Sequence, residues 1–130
     1  MKEKLDAQIS QLKKALSRLS EALALEATPI NQDATIQRFE FSFELTWKVI
    51  STFAYEKGVK TVSPRDSIRT AAQLELIQDV NEWFDFLDAR NKSSHVYNEK
   101  IANQVYQETK KFLPEAEKLL QRIEKESTSL

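Results

Sequence analysis

IQRFEFSFELTWKVISTFAYEKG, from Ile36 to Gly58, is the stretch that decides the fold of this chain, because it fits two patterns. Alternating apolar residues, as in a half-buried strand, are Phe39, Phe41, Phe43, Leu45 and Trp47. A helical stripe with steps of three and four runs through Ile36, Phe39, Phe43, Trp47, Ile50 and Ala54. The helical stripe is longer, and Gly58 suits the left-handed position just after a helix. We therefore predict a helix of about 25 residues with aromatic side chains on more than one face.

The composition also favours an all-helical chain. Its 130 residues include one glycine and three prolines, far fewer turn-formers than an all-β sandwich or barrel of this size needs. The length suits one domain with a single core, and no repeat or linker divides it. We predict one helical domain over residues 1–130, with a tail from about 126 to 130 that frays.

Apolar spacing and capping residues predict further helices on both sides of the aromatic segment. An amphipathic helix precedes it, and its apolar seam is Leu5, Ile9, Leu12, Leu16, Leu19 and Leu23. After it, Ser63 and Pro64 begin a short helix, and another starts at about Asp79. The inward residues of this second helix are Val80, Trp83, Phe84 and Leu87. Asn98 can cap a last long helix, which Pro114 should bend or break.

The charge and the residue types exclude several classes of protein. Nineteen basic and twenty acidic residues give a net charge of −1, which does not suit a protein that wraps duplex DNA. Without cysteine there is no disulfide, thiolate nucleophile or zinc–sulfur site, and one histidine with scattered carboxylates matches no metal-ligand spacing. We predict neither a metal nor a cofactor. No apolar run approaches the ~18 residues of a membrane span, and the N-terminus lacks a secretory signal, so we expect a cytoplasmic protein.

The stretch ARNKSSHVY, Ala89 to Tyr97, holds the one histidine of the chain. Arg90 follows Trp83 by seven residues, which is only about 20° away on a helix, so Arg90 continues the inward stripe. A guanidinium there requires a carboxylate, a phosphate or a cleft. His95 lies about 140° from Arg90 on a regular helix. The two side chains can meet only if the helix bends or ends between them, which the intervening pair of serines favours.

Arginine and histidine together suit chemistry at a phosphodiester. His95 could abstract the proton of a ribose 2′-hydroxyl while Arg90 stabilises the charge on phosphorus. Such cleavage often uses both an acid and a base, which a homodimer with two copies of the stretch would supply. The same spacing also fits an ordinary helix end, with Tyr97 as a packing residue. Similarly, Glu40, Glu44 and Lys48 first suggest a charge ladder on a helix surface.

Three stretches together resemble a known family. They are RFEFSFELTWK (Arg38–Lys48), SPRDSIRTA (Ser63–Ala71) and DARNKSSHVYNE (Asp88–Glu99), and their order and spacing match over roughly residues 16–112. The chain is similar to the small HEPN-superfamily proteins known as nucleotidyltransferase substrate-binding proteins. Its last stretch fits their Arg-x4-His-x-Tyr motif. The resemblance implies an up-and-down bundle of four to five helices that forms a homodimer, with the motifs near the dimer groove.

The resemblance also implies a function. Family members are typically encoded beside a minimal nucleotidyltransferase, and one view makes the helical protein the non-catalytic, substrate-binding subunit of this two-component system. In related pairs it is a metal-independent endoribonuclease toxin, which the transferase silences by adenylylating the tyrosine of the motif. Carried over to this chain, Arg90 and His95 are the ribonuclease pair, Asn91 is a polar residue of the same site, and Tyr97 is the modified residue. An inert helical adaptor is a third hypothesis, and we place the substrate-binding partner first.

The predicted partners follow from the same resemblance. They are a second copy of the chain and a minimal nucleotidyltransferase encoded nearby. Phe41, Glu44 and Trp47 are expected on a surface that one of these partners covers, since one small bundle cannot bury every aromatic face of their helix. Any RNA would be confined to the dimer groove, because the near-neutral charge provides no extensive basic surface. Neither a membrane nor duplex DNA is expected as a partner.

Overall fold

The computed structural model describes residues 2–128, which form five α-helices and no β-strand. The helices are α1 (Lys2–Leu23), α2 (Pro29–Glu56), α3 (Pro64–Gln73), α4 (Val80–Lys92) and α5 (Glu99–Ser127). A 3₁₀ turn, Ser93–His95, follows α4. Each helix packs against the next along the chain, and α5 also packs against α1 and α2. The predicted all-α, up-and-down bundle of four to five helices is confirmed.

The aromatic segment is helical, and it ends where the sequence predicted. α2 has 28 residues and stops just before Gly58, which adopts a φ of 86°. The N–H of Gly58 donates to the carbonyl of Tyr55, and the N–H of Val59 donates to that of Ala54, which is the hydrogen-bond pattern of a Schellman motif. The one glycine of the chain is therefore placed where a left-handed residue is required.

Five buried aromatic rings from three helices form the centre of the core. Phe112 of α5 contacts the other four, with ring centroids 5.1 Å from Phe39, 6.1 Å from Phe43, 5.8 Å from Trp83 and 5.5 Å from Phe86. Three of these contacts are edge-to-face, the geometry that aromatic rings prefer. The cluster fixes α2 and α4 against α5, and so sets the position of the C-terminal end of α4.

We expect Phe112→Ala to lower the free energy of unfolding by about 3–5 kcal/mol, because the ring is fully buried at the centre of this cluster. Denaturant unfolding followed by circular dichroism measures the loss. Phe41→Ala is the matched control, since Phe41 is 58% exposed and its truncation should change stability by about 0.5 kcal/mol or less. Equal losses for the two variants would contradict this description of the core.

The apolar stripe of α4 differs from the predicted one at its phenylalanines. Phe86, which the stripe omitted, is fully buried, whereas Phe84 is only partly buried at the rim of the core. Two guanidinium groups of α3 cover the exposed side of Phe84, those of Arg65 at 4.6 Å and Arg69 at 5.8 Å from the ring centroid. Cation–π contacts therefore take the place of apolar burial at this ring.

Pro114 was predicted to bend or break the last helix; the break is wrong, because α5 runs without interruption from Glu99 to Ser127, and the bend stays a prediction. Proline costs one backbone hydrogen bond, but Phe112 and Ala116 on either side of it are fully buried. Packing of both flanking turns against the core thus holds the helix together. The end of α5 at Ser127 lies within the tail, about 126 to 130, that was expected to fray. Residues 129–130 of this tail lie outside the described part of the chain. No helix within residues 2–128 is long and apolar enough to cross a membrane.

Glu75 occupies the left-handed position after α3, with a φ of 61°. Its N–H donates to the carbonyl of Ala72, and the N–H of Leu76 donates to that of Ala71, so α3 ends in a Schellman motif, like α2. A residue with a Cβ is strained in this conformation, whereas glycine is not. The end of α3 is therefore a place where the sequence is not optimal for stability.

We expect Glu75→Gly to raise the free energy of unfolding by about 0.5–1 kcal/mol, because glycine removes the backbone strain at an exposed position. The opposite change, Gly58→Ala, is the control, and it should lower the free energy of unfolding by about 1 kcal/mol. Apart from its chain neighbours, no heavy atom would lie within 4 Å of the new Cβ at Gly58, so no steric clash contributes to that loss. Denaturant midpoints measure both, and a destabilised Glu75→Gly would contradict the prediction.

Candidate functional site

α4 ends inside the Arg-x4-His stretch, as the pair of serines predicted. Lys92 is the last residue of the α-helix, and the 3₁₀ turn Ser93–His95 follows. The N–H of Ser93 donates to the carbonyl of Arg90. The carbonyl of His95 accepts the N–H of Asn98, the residue that caps α5. The turn is thus tied to a helix at each end.

Arg90 is held by two carboxylates of α2. Its Nε lies 3.2 Å from Glu44 Oε1, and its Nη1 lies 3.7 Å from Glu40 Oε2. Nε is buried and makes no hydrogen bond, so its contact with Glu44 is an ion pair without hydrogen-bond geometry. The side chain is 30% exposed. Arg90 therefore has the carboxylate partner that its inward position required, and part of its side chain still faces solvent.

Ser93 joins the turn to α2. Its side-chain oxygen lies 2.6 Å from Glu40 Oε2 and 2.7 Å from the carbonyl oxygen of Arg90, so its one proton has two acceptors. Ser93 is buried, and Glu40 lies 53 residues earlier in the chain. Sequence reasoning missed both residues as members of the site, because only the packing of α4 on α2 brings them together.

Glu44 is also fixed within α2. The indole Nε1 of Trp47 donates to Glu44 Oε2 at 3.2 Å, and Lys48 Nζ lies 6.0 Å from the Trp47 ring centroid. Glu40, Glu44 and Trp47 fall within about 60° of one another around α2, on the side that faces α4. The predicted surface ladder of Glu40, Glu44 and Lys48 therefore misses the contact that the two carboxylates share, which is with Arg90.

His95 and Tyr97 form an exposed pair beyond the helix end. Tyr97 is 83% exposed, and its hydroxyl lies 3.4 Å from His95 Nδ1. The two rings are edge-to-face, with centroids 5.9 Å apart. Depending on its tautomer, the imidazole accepts from the hydroxyl or donates to it. Asn91 is exposed on the last turn of α4, and its carbonyl accepts the hydroxyl of Ser94.

Phe41 lies apart from these residues. It borders a groove of about 250 Å³ between α1 and α2, together with Ala15 and Leu45. The other residues that line this groove are Gln11, Lys14, Arg18 and Arg38. The structure thus brings Glu44, Trp47 and Arg90 together. The exposed pair of His95 and Tyr97 follows Arg90 closely in the chain. Phe41 belongs to neither group.

One carboxyl group outside this site has a shifted pKa. Burial first, and then the nearby carboxylates of Glu115 and Asp79, raise the pKa of Glu82 at the start of α4. Since the folded protein binds this proton more tightly than the unfolded chain, the contribution to stability is complete at low pH and is lost as the pH rises through the raised pKa. Within residues 2–128, no group of three or more His, Asp or Glu side chains is placed to hold a metal ion.

A five-helix bundle with an Arg-x4-His-x-Tyr segment at the end of its fourth helix defines a HEPN-like protein. The chain belongs to the family described as nucleotidyltransferase substrate binding protein like, whose model matches residues 7–125. The matched range contains the whole of α2, α3 and α4, most of α1 and α5, and the motif. The family resemblance of the sequence is confirmed.

Individual relatives agree with this assignment. The chain is 30% identical, over 129 residues, to a Haemophilus influenzae protein named probable ribonuclease HepT, covering 92% of this chain and 88% of the relative. A crystal structure of a protein from Thermus thermophilus matches with a TM-score of 0.82 at 33% identity, covering 86% of this chain and 98% of that one. HI0074 from Haemophilus influenzae, described as the fold of a substrate binding domain of a nucleotidyltransferase, matches with a TM-score of 0.68 at 26% identity, covering 95% and 99%.

Proposed function

We propose that this chain is the substrate-binding subunit of a two-component nucleotidyltransferase system, without transferase activity of its own, and that it presents Tyr97 to the transferase. The observation that carries the proposal is the exposure of Tyr97, 83%, on the short segment between the 3₁₀ turn and α5. A hydroxyl in this position is accessible to the active site of another protein. Membership of the nucleotidyltransferase substrate-binding family supports the class of partner.

The chemistry requires a nucleophile and a proton acceptor. The Tyr97 oxygen attacks the α-phosphorus of a nucleoside triphosphate, a new P–O bond forms, and the bond to the departing pyrophosphate breaks. The phenolic proton must leave in the same step. In the tautomer with Nδ1 unprotonated, His95 Nδ1, 3.4 Å from the hydroxyl, would accept it. The transferase supplies the groups that activate the triphosphate.

The test is nucleotide transfer to the unmodified chain. The chain and the transferase encoded beside it are purified separately, mixed with Mg²⁺ and each ribonucleoside triphosphate in turn, and analysed by intact mass. We expect a gain of one nucleoside monophosphate per chain, with peptide fragmentation locating it at Tyr97. No gain with any triphosphate, or a gain at another residue such as the exposed Tyr55, would contradict the proposal.

A metal-independent endoribonuclease is the second candidate, and a specific arrangement favours it. Arg90 and His95 lie at the same helix end, with the Arg90 side chain partly exposed and His95 exposed. A phosphodiester held by Arg90 could then have its 2′-hydroxyl proton removed by His95. The name of the Haemophilus relative, probable ribonuclease HepT, also favours this candidate. In this case a nucleotide on Tyr97 would block access to His95 and silence the enzyme.

The homodimer stays a prediction, and so does the contact of Phe41, Glu44 and Trp47 with a partner. Glu44 and Trp47 have partners within the chain, whereas Phe41 presents an exposed ring beside a groove. Two copies of the motif would supply both an acid and a base for RNA cleavage. An inert helical adaptor is the conclusion only if the chain neither accepts a nucleotide nor cleaves RNA.

A further inference from the structure

One carboxylate oxygen of α2 contacts two elements of the Arg-x4-His segment. Glu40 Oε2 lies 2.6 Å from the hydroxyl of Ser93, in the 3₁₀ turn, and 3.7 Å from Nη1 of Arg90, in α4. The two residues of the motif belong to different elements, since Arg90 is on the α-helix and His95 is on the turn. Glu40 is therefore a side chain that connects the two halves of the motif.

The two contacts of Glu40 have different consequences. Ser93 is only 4% exposed, and its hydroxyl donates over a distance typical of charge-assisted hydrogen bonds. The ion pair with Arg90 is longer, and the side chains of Glu40 and Arg90 are 29% and 30% exposed, so solvent weakens it. The first contact thus fixes the turn on α2, and the second mainly orients the guanidinium.

We propose that Glu40 is a positioning residue for phosphate chemistry at this site. It holds Arg90 and the turn that carries His95 in the relative placement that a phosphate-bearing substrate, a nucleoside triphosphate or an RNA phosphodiester, requires. Glu40 does not touch the substrate; it acts through Arg90 and Ser93. The inference rests on the proposed function, because it assigns Glu40 to the site at which that function would occur.

Three variants separate the two contacts. Glu40→Gln keeps an oxygen that accepts the Ser93 hydroxyl but removes the negative charge beside Arg90. Ser93→Ala removes the hydrogen bond to the turn and leaves the charge in place. Glu40→Ala removes both. Glu117→Gln is the charge-matched control, because Glu117 is exposed on the side of α5 that faces α1.

The first measurement tests positioning without any assumption about function. His95 is the one histidine of the chain, so its ring signals in a proton NMR spectrum need no further assignment. We expect Glu40→Ala and Ser93→Ala to shift these signals, and Glu117→Gln to leave them in place. If the signals of His95 are the same in the parent, Glu40→Ala and Ser93→Ala, Glu40 does not position the turn and the inference is overturned.

The second measurement tests the consequence for reaction. With the transferase present, we expect Glu40→Ala to lower kcat for nucleotide transfer to Tyr97 by about 10- to 100-fold, since misplacement of reacting groups is costly. KM for the triphosphate should change by less than about threefold, because Glu40 does not contact this substrate. Glu40→Gln should recover most of the rate, as it keeps the bond to Ser93. A change in stability alone would not produce this difference between kcat and KM.

The two measurements distinguish the failure of each idea. Equal kcat values for the parent and Glu40→Ala overturn the positioning role. If the parent chain accepts no nucleotide, the proposed function fails, and the NMR comparison still decides whether Glu40 holds the turn. A rate for Glu40→Gln as low as that for Glu40→Ala would contradict the role given to the Ser93 hydrogen bond.

Discussion

Tyr97→Phe is expected to abolish nucleotide transfer to this chain. The substitution removes the phenolic oxygen that attacks phosphorus but keeps the ring and its edge-to-face contact with His95. Because Tyr97 is 83% exposed, stability should change by about 0.5 kcal/mol or less. Intact mass after incubation with the transferase and the triphosphate that modifies the parent measures the result. The parent should gain one nucleoside monophosphate and the variant none.

Tyr55→Phe is the matched control, because Tyr55 is 67% exposed and lies on α2. It should gain the nucleotide at the parent's rate. If Tyr97→Phe is still modified, the acceptor is another residue, and the argument from the exposure of Tyr97 fails. If both variants lose the modification, exposed tyrosines affect the association with the transferase and do not identify the acceptor.

A nucleotide on Tyr97 would have a direct electrostatic and steric effect on His95. It would bring a negative charge next to His95, on the segment that follows the turn. Glu40 and Glu44 already place two carboxylates against Arg90, so a further anion nearby would weaken the attraction of this site for RNA. The substrate-binding and ribonuclease hypotheses therefore share one structural consequence: the modified chain should not bind a phosphodiester at Arg90.

Local signals in the sequence were sufficient to predict the helices. Gly58 marked the end of α2 because a left-handed position requires glycine, and Ser63 and Asn98 cap α3 and α5 through their side-chain oxygens, as predicted. Each of these effects depends on residues at most a few positions apart. Periodicity also identified nearly all the core positions of α1.

Effects that depend on distant residues could not be predicted in this way. Pro114 stays helical because the turns on either side of it pack on the core, and Phe86 is buried because Phe112 and Trp83 lie against it. A prediction from neighbouring residues includes the backbone hydrogen bond that a proline loses, but it does not include the tertiary packing that offsets this loss. The strained φ of Glu75 could not be predicted from the sequence either, since glycine is the usual residue at the left-handed position after a helix.

The candidate site shows the same division. The direction of Arg90 followed from its seven-residue spacing after Trp83, and the inward position required an anionic partner. The partners themselves, Glu40 and Glu44, are on another helix and looked like a surface ladder. Which carboxylates pair with Arg90 depends on the packing of α4 against α2, and this packing cannot be predicted from a short stretch of sequence. Glu40, Glu44 and Trp47 do share one side of α2, and that spacing was the available signal.

His95→Ala is expected to lower RNA cleavage by about 10²- to 10⁴-fold if the chain is a ribonuclease, because it removes the one imidazole of the chain, the general base assigned to the 2′-hydroxyl. The assay uses the purified chain and RNA in EDTA, so that metal-dependent nucleases are inactive. Intact mass must first show that Tyr97 carries no nucleotide. His95 is exposed, so the variant should fold as the parent does.

Each outcome of this assay assigns catalysis to a different protein. Cleavage by the parent but not by His95→Ala makes the Arg90–His95 end of α4 a ribonuclease site, with the transferase as the protein that silences it through Tyr97. Equal cleavage by both preparations means that His95 is not the proton-transfer group, and the mechanism assigned to it is wrong. Cleavage by neither, from an unmodified chain that accepts a nucleotide on Tyr97, leaves the transferase as the catalytic component. In that case Arg90 and His95 serve to place the tyrosine and its phosphate-bearing substrate, which is the function that the exposure of Tyr97 supports best.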